Sequence, residues 1–128
     1  MTSIVECHPS YQKSRKRRIS WKAYLRDWER FLRSLPPDRY SEVFGVPRGG
    51  LIPAVLASHL LGLRVRNDSI ALVQVVPGLL VVDDLVDTGR TLSLCPNDVA
   101  VLYRKPWSAV EPTYWYRETE RWIVFPYE

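Results

Sequence analysis

The sequence predicts a single α/β domain built on a mainly parallel, twisted sheet flanked by helices. Three observations carry this prediction. Continuously apolar runs such as 79–82 are typical of strands covered on both faces. Helical patterns alternate with these runs, and two of the runs end in polar loops that contain glycine. Ligands of such sheets bind at the carboxyl ends of the strands, so we expect a site at these two loops.

The first predicted elements are a surface helix and a short strand. Ser20 is a suitable N-cap for a helix whose apolar residues recur every three or four positions through 21–35, before Pro36 and Pro37 end it. The run 43–46 then predicts a short buried strand.

The middle of the chain predicts a loop, a second helix and two further strands. The first strand breaks at 47–50, and an apolar helical pattern over 51–61 stops at Gly62. Residues 63–66 predict a short strand, and the β-branched run 70–76 predicts another, closed by a tight turn at Pro77-Gly78.

The last clear elements are two apolar strands. Residues 79–82 predict a buried strand that ends at Asp83-Asp84, and 99–103 predict a further strand. The C-terminal third has no clear period.

Positive charge is concentrated at the N-terminus. Residues 1–40 hold ten Lys and Arg against four Asp and Glu, whereas 41–128 hold eight against ten. We interpret 1–19 as a solvated basic arm and 20–128 as the domain. Such an arm can attract phosphate-rich partners, but without base-reading residues it specifies none, so we expect no nucleic-acid partner.

Cysteine and hydropathy patterns indicate a soluble cytoplasmic protein. Cys7 and Cys95 lack the spacing of a zinc or redox site, and no apolar run approaches the ~20 residues that span a bilayer. The N-terminus also lacks the apolar stretch of a signal peptide.

The segment 79–91 combines a buried strand, paired carboxylates and a glycine-threonine loop. Residues 87–91 can wrap a phosphate, because Gly89 lets the backbone approach closely and the Thr88 and Thr91 hydroxyls add donors. Asp83 and Asp84 could accept hydrogen bonds from a vicinal diol or hold hydrated Mg²⁺. The alternative is a strand ended by an Asx turn, which leaves the following acidic, hydroxyl and glycine residues unexplained.

This segment resembles the signature that binds phosphoribosyl pyrophosphate (PRPP) in type I phosphoribosyltransferases. The resemblance implies a phosphoribosyltransferase-type fold with a small C-terminal hood for the base. It also implies that Asp83 and Asp84 face the ribose hydroxyls and Mg²⁺, and that Asp87 handles the proton on the purine N7. The 5′-phosphate would be held by Thr88, Gly89, Arg90 and Thr91.

Two further regions resemble the xanthine-guanine and hypoxanthine-type members of that family. Residues 46–50 match the pyrophosphate loop, which implies that Arg48, Gly49 and Gly50 bind the leaving group and that Arg48 contributes to catalysis. Residues 103–107 and 121–128 resemble the base-recognition elements. The implied roles are a contact to the 6-oxo group for Lys105, stacking for Trp122, backbone contacts for Ile123 and a place near the metal for Glu128.

The resemblance implies transfer of the phosphoribosyl group from PRPP to guanine, xanthine or hypoxanthine, giving a nucleoside monophosphate and pyrophosphate for purine salvage. The stretch 67–78 leaves little room for the mobile loop that covers the reacting groups in this family. A weakly catalytic PRPP- or nucleotide-binding regulatory protein is therefore an alternative, as is a transferase for another base. Abundant aromatics and short loops lead us to expect a homodimer.

Overall fold

The computed structural model describes residues 16–128, and its main layer is a parallel five-stranded sheet in the order β3-β2-β4-β5-β6. The predicted α/β fold is confirmed. In chain order the elements are β1 (Lys16–Arg18), α1 (Trp21–Arg33), β2 (Glu42–Gly45), α2 (Leu51–Leu61), β3 (Arg64–Val65), a 3-10 helix (Ser69–Leu72), β4 (Leu79–Val86), β5 (Asp98–Arg104), β6 (Tyr114–Glu118) and β7 (Trp122–Val124).

Strand β4 lies at the centre of the sheet, and alternate side chains serve two cores. Leu80 and Val82 pack in the core that contains α1 and α2. Leu79 and Val81 pack in a second core on the other face. All four side chains are nearly inaccessible to solvent, as expected of a strand covered on both faces.

Helix α1 forms because its cap and its apolar stripe agree. The Ser20 hydroxyl accepts a hydrogen bond from the Ala23 amide at 3.1 Å, which satisfies one free donor at the helix start. Tyr24, Trp28 and Leu32 recur every four residues and are fully buried against the sheet. The helix therefore fixes two large aromatic side chains beneath the end of β4.

The first and last strands of the described residues form a separate small sheet. Strand β1 pairs in parallel with β7, and the Ile19 amide donates to the Val124 carbonyl at 3.0 Å. That this sheet forms the C-terminal hood for a base stays a prediction. Residues 1–15 of the predicted basic arm lie outside the described residues, while its last four residues are joined to the domain.

The strand predicted over 70–76 is wrong. Ser69–Leu72 is a 3-10 helix, and Val73 and Val75 are exposed. Both edges of β2 are already paired, with β3 and β4. The Asn97 side chain instead donates to the carbonyls of Ala71 and Gln74 and accepts from the Val76 amide, which satisfies the loop without a partner strand.

The predicted end of β4 at Asp83-Asp84 is also wrong. Pairing with β5 continues from Asp83 opposite Val101 to Val86 opposite Arg104. The backbone bonds of the ladder hold both acidic residues in the strand, although neither favours this conformation by itself. None of the helices within 16–128 combines the length and the apolar character that a membrane crossing requires.

Candidate active site

Three loops meet at the carboxyl edge of the sheet because they follow adjacent parallel strands. The β2 loop (46–50) follows β2, the β4 loop (87–91) follows β4, and the β5 loop (105–110) follows β5. The amide of Val46 donates to the carbonyl of Val82 at 3.0 Å, so the β2 loop leaves its strand against β4. The strand order thus assembles a site from segments far apart in the sequence.

The β4 loop encloses an open cavity of about 150 Å³. Thr88, Arg90 and Thr91 are exposed at its rim, and Gly89 has a φ of +85° that L side chains rarely adopt. The cavity is lined by predicted site residues and their apolar neighbours, namely Asp83, Leu85, Val86, Asp87, Thr88, Gly89, Arg90, Thr91 and Leu92.

The β2 loop crosses the end of β4 with no room for a side chain on Gly50 or on Gly45, the last residue of β2. A Cβ on Gly50 would lie 2.3 Å from the Val82 carbonyl oxygen, and one on Gly45 would lie 2.1 Å from the Gly50 oxygen. The peptide bond between Pro47 and Arg48 is cis, and the Arg48 side chain is exposed. The tight crossing presents Arg48 at the carboxyl edge while the glycines remain against the strand.

Asp83 lines the cavity of the β4 loop. One carboxylate oxygen, Oδ1, accepts a hydrogen bond from the Asp84 amide at 2.8 Å. Burial raises the pKa of Asp83 to about 8, with a smaller rise from the charge of Asp84 and a lowering by that amide. A cation or a sugar hydroxyl at this position would meet a carboxyl group whose ionisation is costly without a partner.

Asp84 points into the core beneath the sheet instead. Its Oδ1 accepts hydrogen bonds from the Tyr24 hydroxyl at 2.8 Å and the Trp28 indole at 3.1 Å, and its Oδ2 accepts one from the Tyr127 hydroxyl. Burial raises the pKa of Asp84 to about 6, and these three donors oppose the rise. A carboxylate held by three donors can fix the surrounding side chains, and it has less capacity left for a ligand.

The two carboxylates nevertheless approach one common point. A Cβ on Gly49 would lie 3.2 Å from the Asp83 Oδ1 and 3.3 Å from the Asp84 Oδ2. It would also lie 2.9 Å from the Tyr127 hydroxyl. The β2 loop and both acidic residues therefore border the same small space, which a side chain at position 49 would fill.

Asp87 begins the β4 loop and is bound by a residue that the sequence reasoning did not select. The indole Nε1 of Trp107 donates to its Oδ1 at 2.7 Å. The Lys105 ammonium nitrogen lies 5.6 Å from the centre of the Trp107 ring and donates to the Arg121 carbonyl. Lys105 is completely buried, so the predicted base contact is covered in this conformation.

The β5 loop is docked onto the β4 loop by backbone contacts. The Lys105 amide donates to the Val86 carbonyl at 3.0 Å, and the Ala109 amide donates to the Thr88 carbonyl at 3.2 Å. The side chain of Val110 lies so close to Gly89 that a Cβ there would be 2.6 Å from its methyl carbon. The β4 loop and the β5 loop therefore form one packed unit.

The remaining predicted site residues lie in the C-terminal segment. Trp122 is half-buried, while the Ile123 side chain lies in the core and its backbone pairs with Arg17. Glu128 is exposed, and burial raises its pKa while the Phe125 amide and the charge of Arg48 lower it. Within 16–128, no three His, Cys, Asp or Glu side chains are grouped to hold a metal ion, so Asp83, Asp84 and Glu128 do not form such a group.

Sequence reasoning missed the aromatic partners of the acidic residues. Tyr24, Trp28 and Tyr127 bind Asp84, and Trp107 binds Asp87. The only available signal was chemical: a buried Tyr or Trp needs a partner for its polar atom. Nothing in the spacing indicates which carboxylate that partner is, because the pairs are up to 60 residues apart.

Comparison with known proteins identifies the family to which the chain is similar. No protein-family model matches the chain. A xanthine-guanine phosphoribosyltransferase of Idiomarina loihiensis is 29% identical, over 86% of this chain and 85% of that protein. The structure of a Helicobacter pylori xanthine-guanine-hypoxanthine phosphoribosyltransferase has a TM-score of 0.73 at 19% identity, covering 89% of this chain and 94% of the other.

A closer sequence match comes from a solved purine phosphoribosyltransferase of Pyrococcus horikoshii. It is 33% identical with a TM-score of 0.71, and the alignment covers 88% of this chain and 94% of the other. Identity at that level over nearly the whole partner, together with the shared parallel sheet, shows that the chain belongs to the type I phosphoribosyltransferase family and resembles its purine members.

Proposed function

We propose that this chain transfers the phosphoribosyl group of PRPP to a 6-oxopurine base. The observation that carries the proposal is the docking of the β4 loop and the β5 loop into one unit beside the β2 loop. A phosphate cradle, a loop with an exposed Arg and a loop with a buried Lys meet at one sheet edge. These are the parts that a phosphorylated sugar, a diphosphate leaving group and a base require.

In this proposal the β4 loop holds the 5′-phosphate. Gly89 brings the backbone close to the cavity, and the exposed Thr88 and Thr91 hydroxyls can donate to phosphate oxygens. The Thr88 Oγ1 already accepts from the Arg90 amide at 3.3 Å, which orders the loop before a ligand arrives. Fixing the phosphate in this way orients the anomeric carbon for attack.

The β2 loop would hold the pyrophosphate, with Arg48 countering its charge as it leaves. Asp83 fits a hydrated Mg²⁺ ion, because it offers a hard oxygen ligand beside Gly49 and because a cation would favour its ionised form. When bound, the ion would supply charge neutralisation on the diphosphate. Since the described residues offer no three-ligand group, most of its ligands would come from substrate and water.

Asp87 would accept the proton that the base loses. It begins the β4 loop, and its Oδ1 is oriented by the Trp107 indole. Lys105 is the candidate contact to the 6-oxo group of the purine, and Trp122 and Ile123 are candidates for stacking and backbone contacts. Guanine, xanthine and hypoxanthine share the 6-oxo group and differ at another ring position.

The test is an assay with PRPP, Mg²⁺ and each of the three bases, measuring nucleoside monophosphate and pyrophosphate. We expect turnover by the intact chain and a loss of about 10²–10⁴-fold in kcat for Asp87→Ala. Glu29→Ala is the control, since Glu29 is an exposed residue on α1 and not on any of the three loops. Absence of product with every base would contradict the proposal.

A regulatory protein that binds PRPP or a nucleotide with little turnover remains the second candidate. One structural observation favours it: the segment between β3 and β4 contains only a single-turn 3-10 helix and exposed valines, which is short for a loop that must cover reacting groups. Calorimetry combined with the product assay separates the two functions. A regulator would bind PRPP or nucleoside monophosphate and form no product, and its Asp87→Ala variant would have no turnover to lose.

A further inference from the structure

The contact between Trp107 and Asp87 places an indole, a fused two-ring aromatic system like a purine, where the proposed function requires a base. The indole Nε1 donates to the Asp87 Oδ1 at 2.7 Å. A purine that presents a ring N–H to Asp87 would use the same acceptor. A carboxylate oxygen can accept two bonds, so the competition is for the space beside Oδ1, part of which the indole ring fills.

Lys105 gives a second, independent indication. Its side chain has no solvent exposure, and its ammonium group lies beside the face of the Trp107 ring and donates to the Arg121 carbonyl. A 6-oxo group cannot reach this nitrogen unless the covering groups move. Both residues assigned to the base are therefore engaged by the chain itself.

We propose that Trp107 occupies the base position of the ligand-free chain and that a purine base must displace it. This inference rests on the proposed function. It makes Trp107 a specificity-determining residue, because a competitor must replace the indole at Asp87 and also satisfy Lys105. A 6-oxopurine offers a ring N–H and a carbonyl oxygen for these two tasks, whereas a 6-aminopurine would direct an amino group at a lysine.

The position of Trp107 in the β5 loop links this displacement to the phosphate cradle. The loop is attached to the β4 loop at Ala109–Thr88 and by the packing of Val110 on Gly89. Along the chain these contacts follow Trp107, whereas the Lys105–Val86 hydrogen bond precedes it. The indole can therefore leave Asp87 by side-chain rotation while both backbone attachments stay in place, and ribose phosphate alone should not move it.

Nuclear magnetic resonance can observe this step directly, since the chain has five Trp side chains and each indole N–H gives one signal. The Trp107→Phe variant assigns the Trp107 signal by its loss. We expect guanosine monophosphate to shift that signal and speed its hydrogen exchange, and ribose 5-phosphate with Mg²⁺ to leave it unchanged. Binding of guanosine monophosphate with an unmoved Trp107 signal would overturn the proposal.

Affinity measurements give an independent test that does not depend on turnover. Trp107→Ala removes the competing ring, so guanosine monophosphate should bind about tenfold more tightly while ribose 5-phosphate binds as before. Trp107→Phe keeps an aromatic ring and loses the N–H, so its gain in affinity for guanosine monophosphate should be smaller. This variant replaces the alanine variant in the test if the latter folds poorly. Trp115→Phe is the control, because Trp115 is an exposed residue on β6.

The outcomes separate this inference from the proposed function. Weaker binding of guanosine monophosphate by both Trp107 variants would mean that the indole supports the base, which overturns the displacement. If neither the intact chain nor Trp115→Phe binds guanosine monophosphate or ribose 5-phosphate, the proposed function fails, and the inference fails with it.

Discussion

Asp83 and Asp84 are neighbours on β4, yet one carboxylate lines an open cavity and the other is fixed in the core. Asp84 accepts three side-chain hydrogen bonds from two aromatic-rich regions, α1 and the C-terminal segment. Asp83 accepts one backbone amide bond and borders the β4 loop. The difference shows how the end of one strand can serve two purposes. Asp84 stabilises the folded core, whereas ionisation of Asp83 stays unfavourable until a ligand binds.

The largest expected effect is a difference between Asp84 and Asp83 variants in the free energy of unfolding. Asp84→Ala leaves the donors of Tyr24, Trp28 and Tyr127 without their acceptor in a buried site. We expect a loss of about 3 kcal/mol in the free energy of unfolding, measured by urea denaturation. Asp83→Ala is the matched control and should cost less than about 1 kcal/mol or stabilise the fold. Equal losses for the two variants would remove the distinction.

The second prediction concerns pH. The folded pKa of Asp83, about 8, is higher than its ordinary value of 3.8, so the folded chain binds the proton more tightly than the unfolded chain does. The contribution of protonated Asp83 to folding stability is therefore fully present below about pH 4 and is lost as the pH rises toward 8. Asp83→Asn cannot ionise, so its stability should fall less over this range and exceed that of the intact chain by roughly 2 kcal/mol at pH 8.

Thermal unfolding of both chains from pH 4 to pH 8 measures this difference. Parallel pH profiles for the intact chain and Asp83→Asn would show that Asp83 is not the titrating group. Under the proposed function Asp83→Asn should also lose most of its turnover, so the stabilised variant would be the less active one.

A smaller effect is expected at Tyr127, which reaches Asp84 from the C-terminal segment. Tyr127→Phe removes one of three donors and keeps the ring stacked on Phe125. We expect a loss of about 1 kcal/mol in unfolding free energy. Tyr116→Phe, on β6, is the control. If Tyr127→Phe costs as much as Asp84→Ala, the carboxylate depends on that donor alone.

The smallest stability effect is expected at Gly49, between the two carboxylates. A Cβ there meets only the ends of the Tyr127, Asp83 and Asp84 side chains, which can shift slightly. Gly49→Ala should therefore cost about 0.5 kcal/mol in folding, yet weaken PRPP binding measured by calorimetry, because the methyl group fills the shared space. Unchanged PRPP affinity would show that the ligand does not use this space.

Local patterns predicted the elements whose signal lies in the residue types of the segment itself. The Ser20 cap, the stripe of α1 and the apolar run before Asp83 all appear in the structure. The predicted strand over 70–76 failed because β-branched residues favour a strand only where a partner strand pairs with them, and the Asn97 side chain bonds the backbone of that loop instead. Strand β6 went unpredicted because its sequence, three aromatic residues followed by two charged ones, shows no alternation of apolar and polar residue types, and pairing with β5 holds it in place.

By itself the sequence determined the parallel α/β class, the loops at the strand ends and a family resemblance that the comparisons bear out. These features depend on residue type and short spacing. Only the tertiary structure decided that Asp84 faces the core, that Lys105 is buried and that Trp107 binds Asp87. The physical reason is that a hydrogen bond between distant residues depends on how the strands and loops pack together, which no local pattern specifies.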